Sequence, residues 1–208
     1  RPVRAPHHSA SGPALIGGGS SPRPGELSLA HYGILFLDEF TEFPRHVLEM
    51  IRQPLEDGFV IVSRAKRTTQ FPAQFMLVAA MNPCPCGYFG SNLRSCKCSP
   101  GQIAKYVAKV SGPLVDRIDI HIDVPAVAFS KLRSKARQID SDALRASVVA
   151  ARAIQTRRFG SGKVLTNAHM SHRQLEQFCK LDAAGELMLK EAMMELGALC
   201  CTPRDPHC

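Results

Sequence analysis

The feature that most constrains this chain is an apolar run that ends abruptly in two carboxylates, Ile34-Leu35-Phe36-Leu37-Asp38-Glu39. An apolar run of this length predicts a strand buried on both faces, as in a parallel sheet. Ligands of open α/β sheets bind beyond the carboxyl ends of the strands, so Asp38 and Glu39 would lie at a binding edge. An Asp there can hold Mg²⁺ on a nucleotide, and the next Glu can orient a water molecule. The pattern therefore predicts an α/β fold with a magnesium–nucleotide site.

The phosphate-binding loop that usually accompanies such a strand in ATPases, G-x-x-x-x-G-K-[ST], is absent from the 208 residues. The nearest approach, Gly160-Ser161-Gly162-Lys163, lacks the spacing and is followed by Val164, so it is interpreted as a turn. The chain therefore has the pattern of part of an ATPase. We expect it to bind ATP weakly or not at all by itself, because the amides and the Lys that cradle phosphates are missing.

The charge of the chain favours a polyanionic partner. The formal net charge is +8 and the pI is about 9.3, which is the electrostatic footprint of a nucleic-acid-binding protein. The basic stretch Arg64–Arg67 lies between two strand-like segments, which predicts a hairpin with a cationic tip. No apolar run approaches ~18 residues, so no membrane helix is expected.

Four of the eight cysteines are clustered as two Cys-x-Cys pairs, Cys84 with Cys86 and Cys96 with Cys98. Four thiolates that converge from two short turns suit tetrahedral Zn²⁺. Without a secretion signal, metal binding is favoured over a disulfide framework. The alternative is a surface loop with four reduced cysteines.

Two further polar residues follow the acidic pair at suggestive intervals. Phe75–Ala80 predicts a second buried strand, and Asn82 follows its end, where an amide could reach the same water. Arg117 precedes a third strand-like segment, 118–124, and an Arg supplied to a γ-phosphate neutralises charge in the transition state. Taken singly, Asn82 could cap a strand and Arg117 could form a surface ion pair.

The pattern along the chain predicts two regions, an α/β region over 1–125 and a helical region over 126–208. If a strand that precedes Arg1 is missing, the sheet should leave an apolar edge or face open. His7 and His8 form a doublet in an irregular segment, and solvated histidines are favoured there over a role near nucleotide or DNA.

Several stretches of the chain resemble a known family. They are Arg4-Ala5-Pro6-His7-His8, Gly17-Gly18-Gly19-Ser20, Pro22-Arg23-Pro24-Gly25-Glu26, Leu35-Phe36-Leu37-Asp38-Glu39, Pro54-Leu55-Glu56-Asp57-Gly58, Met81-Asn82-Pro83-Cys84-Pro85-Cys86-Gly87 and Ser111-Gly112-Pro113-Leu114. Together they are similar to the magnesium-chelatase-like AAA+ ATPases of the ComM type, which are bacterial competence-associated proteins. The resemblance covers residues 1–197 and would correspond to the carboxy-terminal two-thirds of the family.

The resemblance implies a partial AAA+ core, a three-layer α/β structure with a parallel sheet, followed by a small α-helical lid domain. Asp38 and Glu39 would be the Walker B pair, with Asp38 holding Mg-ATP. Asn82 would be the sensor-1 residue, and Arg117 would be an arginine finger that acts on a neighbouring subunit. The family hydrolyses ATP, forms hexameric rings and is implicated in DNA branch migration. These properties imply a cytoplasmic, helicase-like DNA motor.

The same resemblance places two hairpins, 17–26 and 64–67, at the central channel of a ring. Cationic tips can follow a phosphate backbone there. The residues expected to contact DNA are Arg23, Arg64, Lys66 and Arg67.

The chain departs from the family at both ends. The phosphate loop should precede Arg1, and after about residue 197 a tail with prolines and three cysteines does not fit a lid helix. This suggests a truncated or altered chain, and no sensor-2 arginine is assigned. Three alternatives stay open: a zinc-containing nucleic-acid-binding module without catalysis, a motor subunit for a tetrapyrrole metal chelatase, and the remnant of a disrupted gene.

Overall fold

The computed structural model describes residues 1–64, 67–91, 94–124, 140–160 and 166–196. The chain divides into two compact units, Arg1–Val127 and Ala128–Cys208. The first unit carries a parallel sheet with helices and the second is helical, which confirms the expected α/β fold class followed by a helical region. Among the helices in the described ranges, none has both the length and the apolarity that a membrane crossing requires.

The first unit contains short elements in close succession. In chain order they are β1 (Val3–Arg4), α1 (Gly12–Ile16), β2 (Gly17–Gly18), β3 (Arg23–Pro24), α2 (Glu26–Leu29), β4 (Ile34–Leu37), a 3-10 turn (Phe40–Glu42), α3 (Arg45–Asp57), β5 (Phe59–Arg64), β6 (Arg67–Pro72), β7 (Met76–Ala79), α4 (Pro100–Val107) and α5 (Gly112–Val115). Strands β1, β4 and β7 form a parallel sheet in that order. The strand with the acidic pair is therefore central.

The two faces of this sheet differ in exposure. Leu35 and Leu37 of β4 are fully buried, whereas Ile34 and Phe36, which point to the opposite face, are only half-buried. The register places Val3 and Met76 on either side of Ile34, and both are exposed. The expectation that one sheet face or edge would be unusually apolar is confirmed.

Two expectations about strands are wrong. The segment predicted as a second buried strand forms β7, but it lies at the described edge of the sheet, and Met76 remains 57% exposed. Residues 118–124 alternate like a strand, yet the structure has no strand there, and Ile122 is 77% exposed. An alternating segment becomes a strand only beside a hydrogen-bonded neighbour, and none is paired with it in the described part of the chain.

Helix α3 supplies much of the core. Val47, Leu48 and Ile51 recur at helical spacing and are buried on one face. The helix continues past Pro54 and ends at Asp57. The next residue, Gly58, has φ +73°, and its N–H donates to the Pro54 carbonyl at 2.9 Å. The remaining buried apolar side chains of this core include Leu15, Leu27, Ala30, Leu35, Leu37, Phe40, Phe43, Val60, Val62, Ala73, Val110 and Leu114.

Both hairpins expected from the sequence are present. Strands β2 and β3 pair antiparallel, and β5 pairs with β6 from Phe59 opposite Pro72 to Arg64 opposite Arg67. Alternation along β5 buries Val60 and Val62 and leaves Ile61 exposed. The hairpin is thus anchored to the core on one face, with basic residues at its far end.

The second unit is described as helices and one short turn: α6 (Ser141–Phe159), a 3-10 turn (Asn167–His169), α7 (His172–Phe178) and α8 (Ala183–Leu196). Helices α6 and α7 have no buried residue. The Phe159 and Phe178 rings meet edge to face at 6.0 Å, and Arg158 donates to Asn167 at 2.8 Å. Local contacts therefore join α6 to the 3-10 turn and to α7.

Candidate nucleotide-hydrolysis site and cysteine cluster

The acidic pair lies at the carboxyl end of the central strand. Asp38 follows β4 directly, and its Oδ1 accepts the Glu39 backbone N–H at 2.9 Å. Glu39 has left-handed backbone angles, φ 51° and ψ 46°, which a non-glycine residue rarely adopts and which cluster at functional sites. The N–H of Phe40 donates to the Ala80 carbonyl at 2.9 Å and ties this turn to the strand beside it.

A small cavity of about 270 Å³ opens beside the pair. Its lining residues are Ala5, Pro6, His7, His8, Phe36, Asp38 and Glu39. The segment after β1 forms one wall because β1 is hydrogen-bonded to β4. Mg²⁺ on a nucleotide takes only one or two carboxylates from a protein, and Asp38 at the strand end fits that modest requirement.

Asn82 lies at the same edge of the sheet. The pairing of Leu37 with Ala79 sets Asp38 beside Ala80, and Asn82 follows two residues later. Its side-chain oxygen lies 3.9 Å from where a Cβ on Gly87 would sit, so the side chain faces the turn of the cysteine loop. The structure thus puts the Asn82 backbone at the same sheet edge as Asp38, but Asn82 is not among the residues that line the cavity.

Arg117 is paired within its own chain. Its Nε donates to Glu56 Oε1 at the end of α3, and Arg52 lies 3.5 Å from the same oxygen. The Arg117 hydrogen bond is the main cause that holds the pKa of Glu56 below its ordinary value of 4.5. The ion pair considered for Arg117 as an alternative is therefore present, and its partner lies 61 positions away in the sequence.

Three of the four residues expected to contact DNA are described, and they lie on the two hairpins. Arg23 is exposed on β3. Arg64 and Arg67 face each other as the last backbone pair of the longer hairpin, and Lys66 falls outside the described residues. Arg4 of β1 forms a bidentate pair with Glu26, the first residue of α2, at 2.6 and 2.7 Å. This pair fixes α2 to β1.

The four clustered cysteines converge in the loop that joins β7 to α4. All four sulfurs lie within 4.8 Å of one another. Cys84 is fully buried, and its Sγ lies 3.4 Å from that of Cys86 and 3.7 Å from that of Cys96. Four sulfurs held ~2.3 Å from a tetrahedral Zn²⁺ would be about 3.8 Å apart, so the donor set fits this ion.

The pKa values of the clustered cysteines also fit a metal site. The backbone N–H groups of Lys97 and Tyr88 lower the pKa of Cys86 to about 6. The Cys98 N–H also donates to Cys96, but burial and the neighbouring sulfurs raise the pKa of Cys96 to about 12. The pKa of Cys84 is also lowered and that of Cys98 is raised, so two of the four thiols resist ionisation, and a nearby cation would favour their thiolate forms.

One contact at the site was not expected from the sequence. His8, for which solvation was favoured, has its Nδ1 2.9 Å from Glu39 Oε2. The two residues are 31 positions apart, and only the pairing of β1 with β4 brings them together. No motif or spacing in the sequence could have signalled this contact.

Comparison with known proteins identifies relatives over nearly all of the chain. Residues 1–132 match the family model described as magnesium chelatase, subunit ChlI, and residues 138–199 match that of its C-terminal part. Competence protein ComM of Haemophilus influenzae is 47% identical over 199 residues, which are 95% of this chain and 38% of the relative. Uncharacterized protein YifB of Escherichia coli is 40% identical over 198 residues, again 95% and 38%.

A more distant relative is the magnesium-chelatase 38 kDa subunit of Acidiphilium rubrum, which is 31% identical over 70 residues, 34% of this chain and 20% of that protein. The chain thus spans little more than a third of the ComM and YifB relatives, so the two-thirds expected from the resemblance is wrong.

Proposed function

The chain belongs to the magnesium chelatase subunit ChlI family as a member of the ComM type, and from this premise we propose that it forms the hydrolysis side of a ring-forming, ATP-dependent DNA motor. The observation that carries the proposal is the position of Asp38 and Glu39 at the carboxyl end of the central strand, with Asn82 at the end of the strand beside it. The ring is a cytoplasmic homohexamer in this proposal.

Each residue has a distinct task in the proposed reaction. Asp38 would hold Mg²⁺ on the nucleotide, and the metal would supply charge neutralisation for phosphoryl transfer. Glu39 accepts a hydrogen bond from the attacking water and orients it, while Asn82 holds the same water from the neighbouring strand. Arg117 leaves its ion pair with Glu56 to reach a nucleotide on the adjacent subunit.

A chimaera provides the test of hydrolysis. The matching 199 residues of the H. influenzae competence protein are replaced by those of this chain, and ATP turnover is measured with and without DNA. We expect Glu39→Gln to lower kcat by about 10²–10⁴-fold, the range for loss of a positioned acid–base group. Glu42→Gln, an acidic neighbour paired with Lys109 at 3.6 Å, is the matched control and should keep normal turnover. Equal turnover in wild type and Glu39→Gln would refute the proposal.

DNA binding is the second part of the proposal, and the +8 charge and the basic hairpins support it. In the 208-residue chain, replacing Arg64, Lys66 and Arg67 by Ala should weaken binding of a labelled single strand and make the salt dependence less steep, because fewer counterions are released. The charge-matched control replaces three exposed arginines of the second unit, Arg145, Arg157 and Arg173. Fluorescence anisotropy of the labelled strand measures the affinity of each variant. An equal loss of affinity in both variants would indicate non-specific attraction alone.

The cysteine cluster adds a structural Zn²⁺ to the proposal, supported by the fit of its four sulfurs. Elemental analysis of the purified chain should give one zinc per molecule. Cys86→Ser should lose most of the metal, whereas Cys179→Ser, an exposed cysteine of the second unit, should retain it. Full zinc content in Cys86→Ser, or none in the wild type, would remove zinc from the proposal.

A further inference from the structure

Among the residues that the structure describes, the carboxylate of Glu39 has one close charged partner, His8, which lies in the segment that follows β1. The segment after β1 passes beside the turn after β4 and closes one wall of the cavity next to the acidic pair. From this wall, His8 brings its Nδ1 to 2.9 Å from Glu39 Oε2. At this separation an imidazole that carries a proton on Nδ1 attracts the carboxylate.

The imidazole of His8 is itself held by its surroundings. Its ring lies 4.0 Å from the ring of His7 and meets Phe43 edge-on at 6.4 Å. Phe43 is part of the buried core, and His7 is fixed by its Nδ1 contact with Ser9 Oγ at 2.9 Å. A ring held on two sides loses little conformational freedom when it binds the carboxylate.

Glu39, by contrast, has a fixed backbone and a flexible side chain. Asp38 caps its N–H and the backbone is left-handed, so the direction of its Cα–Cβ bond is set by the turn. The side chain beyond it is 55% exposed and has three rotatable bonds. Without a partner, the carboxylate would sample several positions around the mouth of the cavity.

We propose that His8 is a positioning residue that holds the Glu39 carboxylate in the orientation required to align the attacking water. The inference rests on the proposed ATP hydrolysis and assigns His8 no contact with nucleotide or water. Its role is to reduce the positions open to the carboxylate, since a misplacement of about 1 Å can cost on the order of 10²-fold in rate.

Turnover by the chimaera described above tests this role. His8→Ala should lower kcat by about 10–100-fold and leave KM for ATP within about twofold, because nucleotide binding does not use the carboxylate's orientation. His8→Asn should restore most of kcat, because the Asn Nδ2 occupies nearly the position of the His Nδ1 and also presents an N–H to the carboxylate. His46→Ala, an exposed histidine on α3, is the control and should behave as wild type.

The outcomes separate this inference from the proposed function. If Glu39→Gln abolishes turnover and His8→Ala keeps the wild-type kcat or raises it, the positioning role is wrong and the hydrolysis site stands. If Glu39→Gln has no effect, the proposed function fails, and the inference fails with it.

A measurement on the 208-residue chain needs no nucleotide. In ¹H–¹⁵N spectra, His8→Ala should shift the backbone amide signals of Glu39 and Phe40, and His46→Ala should leave them in place. Unchanged Glu39 and Phe40 signals in a folded His8→Ala chain would show that the two side chains do not interact, and would overturn the inference even if the chimaera did not assemble.

Discussion

The two units of this chain are stabilised in different ways. In the first, a central core buries apolar side chains from helices, strands and turns that lie far apart in sequence. In the second, Met170 is the one buried side chain among those described between residues 140 and 195. Its helices carry apolar residues as well, but Leu144, Ile154, Leu187 and others stay exposed. An apolar helical pattern therefore predicts a helix, whereas burial requires a second surface to pack against.

The described helices of the second unit depend for their stability more on hydrogen bonds at their ends than on burial. At the start of α7, the Gln174 side-chain oxygen accepts the Ser171 N–H at 2.9 Å and the Ser171 hydroxyl at 3.0 Å. The N–H of Asn167 donates to Gln155 Oε1 at 3.0 Å and links the 3-10 turn to α6. In the first unit, α4 has a capping box, formed by Ser99 and Gln102, but also buries Tyr106. The two units thus use similar hydrogen bonds at their helix ends, and they differ in how many side chains they bury.

The largest expected effect is from a matched pair of core and surface substitutions. Leu48→Ala, at a site 1% exposed in α3, should lower the free energy of unfolding by about 2–5 kcal/mol because it leaves a cavity. Leu144→Ala, at a site 54% exposed in α6, should change it by no more than about 0.5 kcal/mol. Urea denaturation of the chain measures the change in the free energy of unfolding for each variant. Similar losses at the two sites would contradict the proposed difference between the units.

An intermediate effect is expected at the capping boxes. Ser99→Ala and Ser171→Ala should each cost about 1 kcal/mol of helix stability, because Ser99 Oγ accepts the Gln102 N–H and the Ser171 hydroxyl holds the Gln174 side chain that caps α7. In α7, where no residue is buried, the loss should appear as about fivefold faster hydrogen exchange of its amides. In α4 the packed Tyr106 should keep the exchange slow.

Ser147→Ala is the control for the capping prediction. Its hydroxyl donates to the Ala143 carbonyl at 3.2 Å within α6, so no orphan N–H is created. Faster exchange in this variant, or equal exchange changes in α4 and α7, would show that the capping boxes are not what distinguishes the two units.

The smallest expected effect concerns ion pairs. Glu56→Gln removes the partner of Arg117 and Arg52 in the first unit and should cost less than about 1 kcal/mol, since the pair is partly exposed and screened. Glu176→Gln removes the pair with His172 in the second unit, at 3.6 Å and largely in solvent, and should have no measurable effect.

The pH dependence of the Glu56 pair has a definite sign. The pKa of Glu56 is lowered in the folded state, mainly by the Arg117 hydrogen bond, so its contribution is present above the ordinary value of 4.5 and is lost as pH falls through the lowered value. Glu56→Gln should therefore lose less stability than wild type on acidification below pH 4.5. Parallel acid denaturation curves for the two proteins would contradict this expectation.

The local parts of the fold could be predicted from the sequence. The apolar run and its acidic end predict β4 and the turn after it, and the pattern around Arg64 predicts the β5–β6 hairpin. The Cys-x-Cys spacing predicts a cluster, and the structure brings its four sulfurs together. In each case the relevant neighbours are either adjacent or in the same short loop, so few conformations satisfy the pattern.

The alternating segment 118–124 shows that strand pairing could not be predicted from the sequence. Alternation describes which side chains could share a face, but a strand also needs backbone partners, and the sequence does not say which strand lies beside another. The exposure of β7 has the same origin, because its apolar composition could not reveal that it would lie at the described edge of the sheet.

The sequence by itself determined the acidic strand end, the cysteine spacing, the hairpins and the caps, because each is encoded by residues a few positions apart. Only the tertiary structure decided that His8 meets Glu39 and that Arg117 meets Glu56. These contacts join residues 31 and 61 positions apart, and they form because strand order and helix packing bring the two segments together. Strand order depends on how the whole set of apolar faces can be buried at once, which no single motif contains.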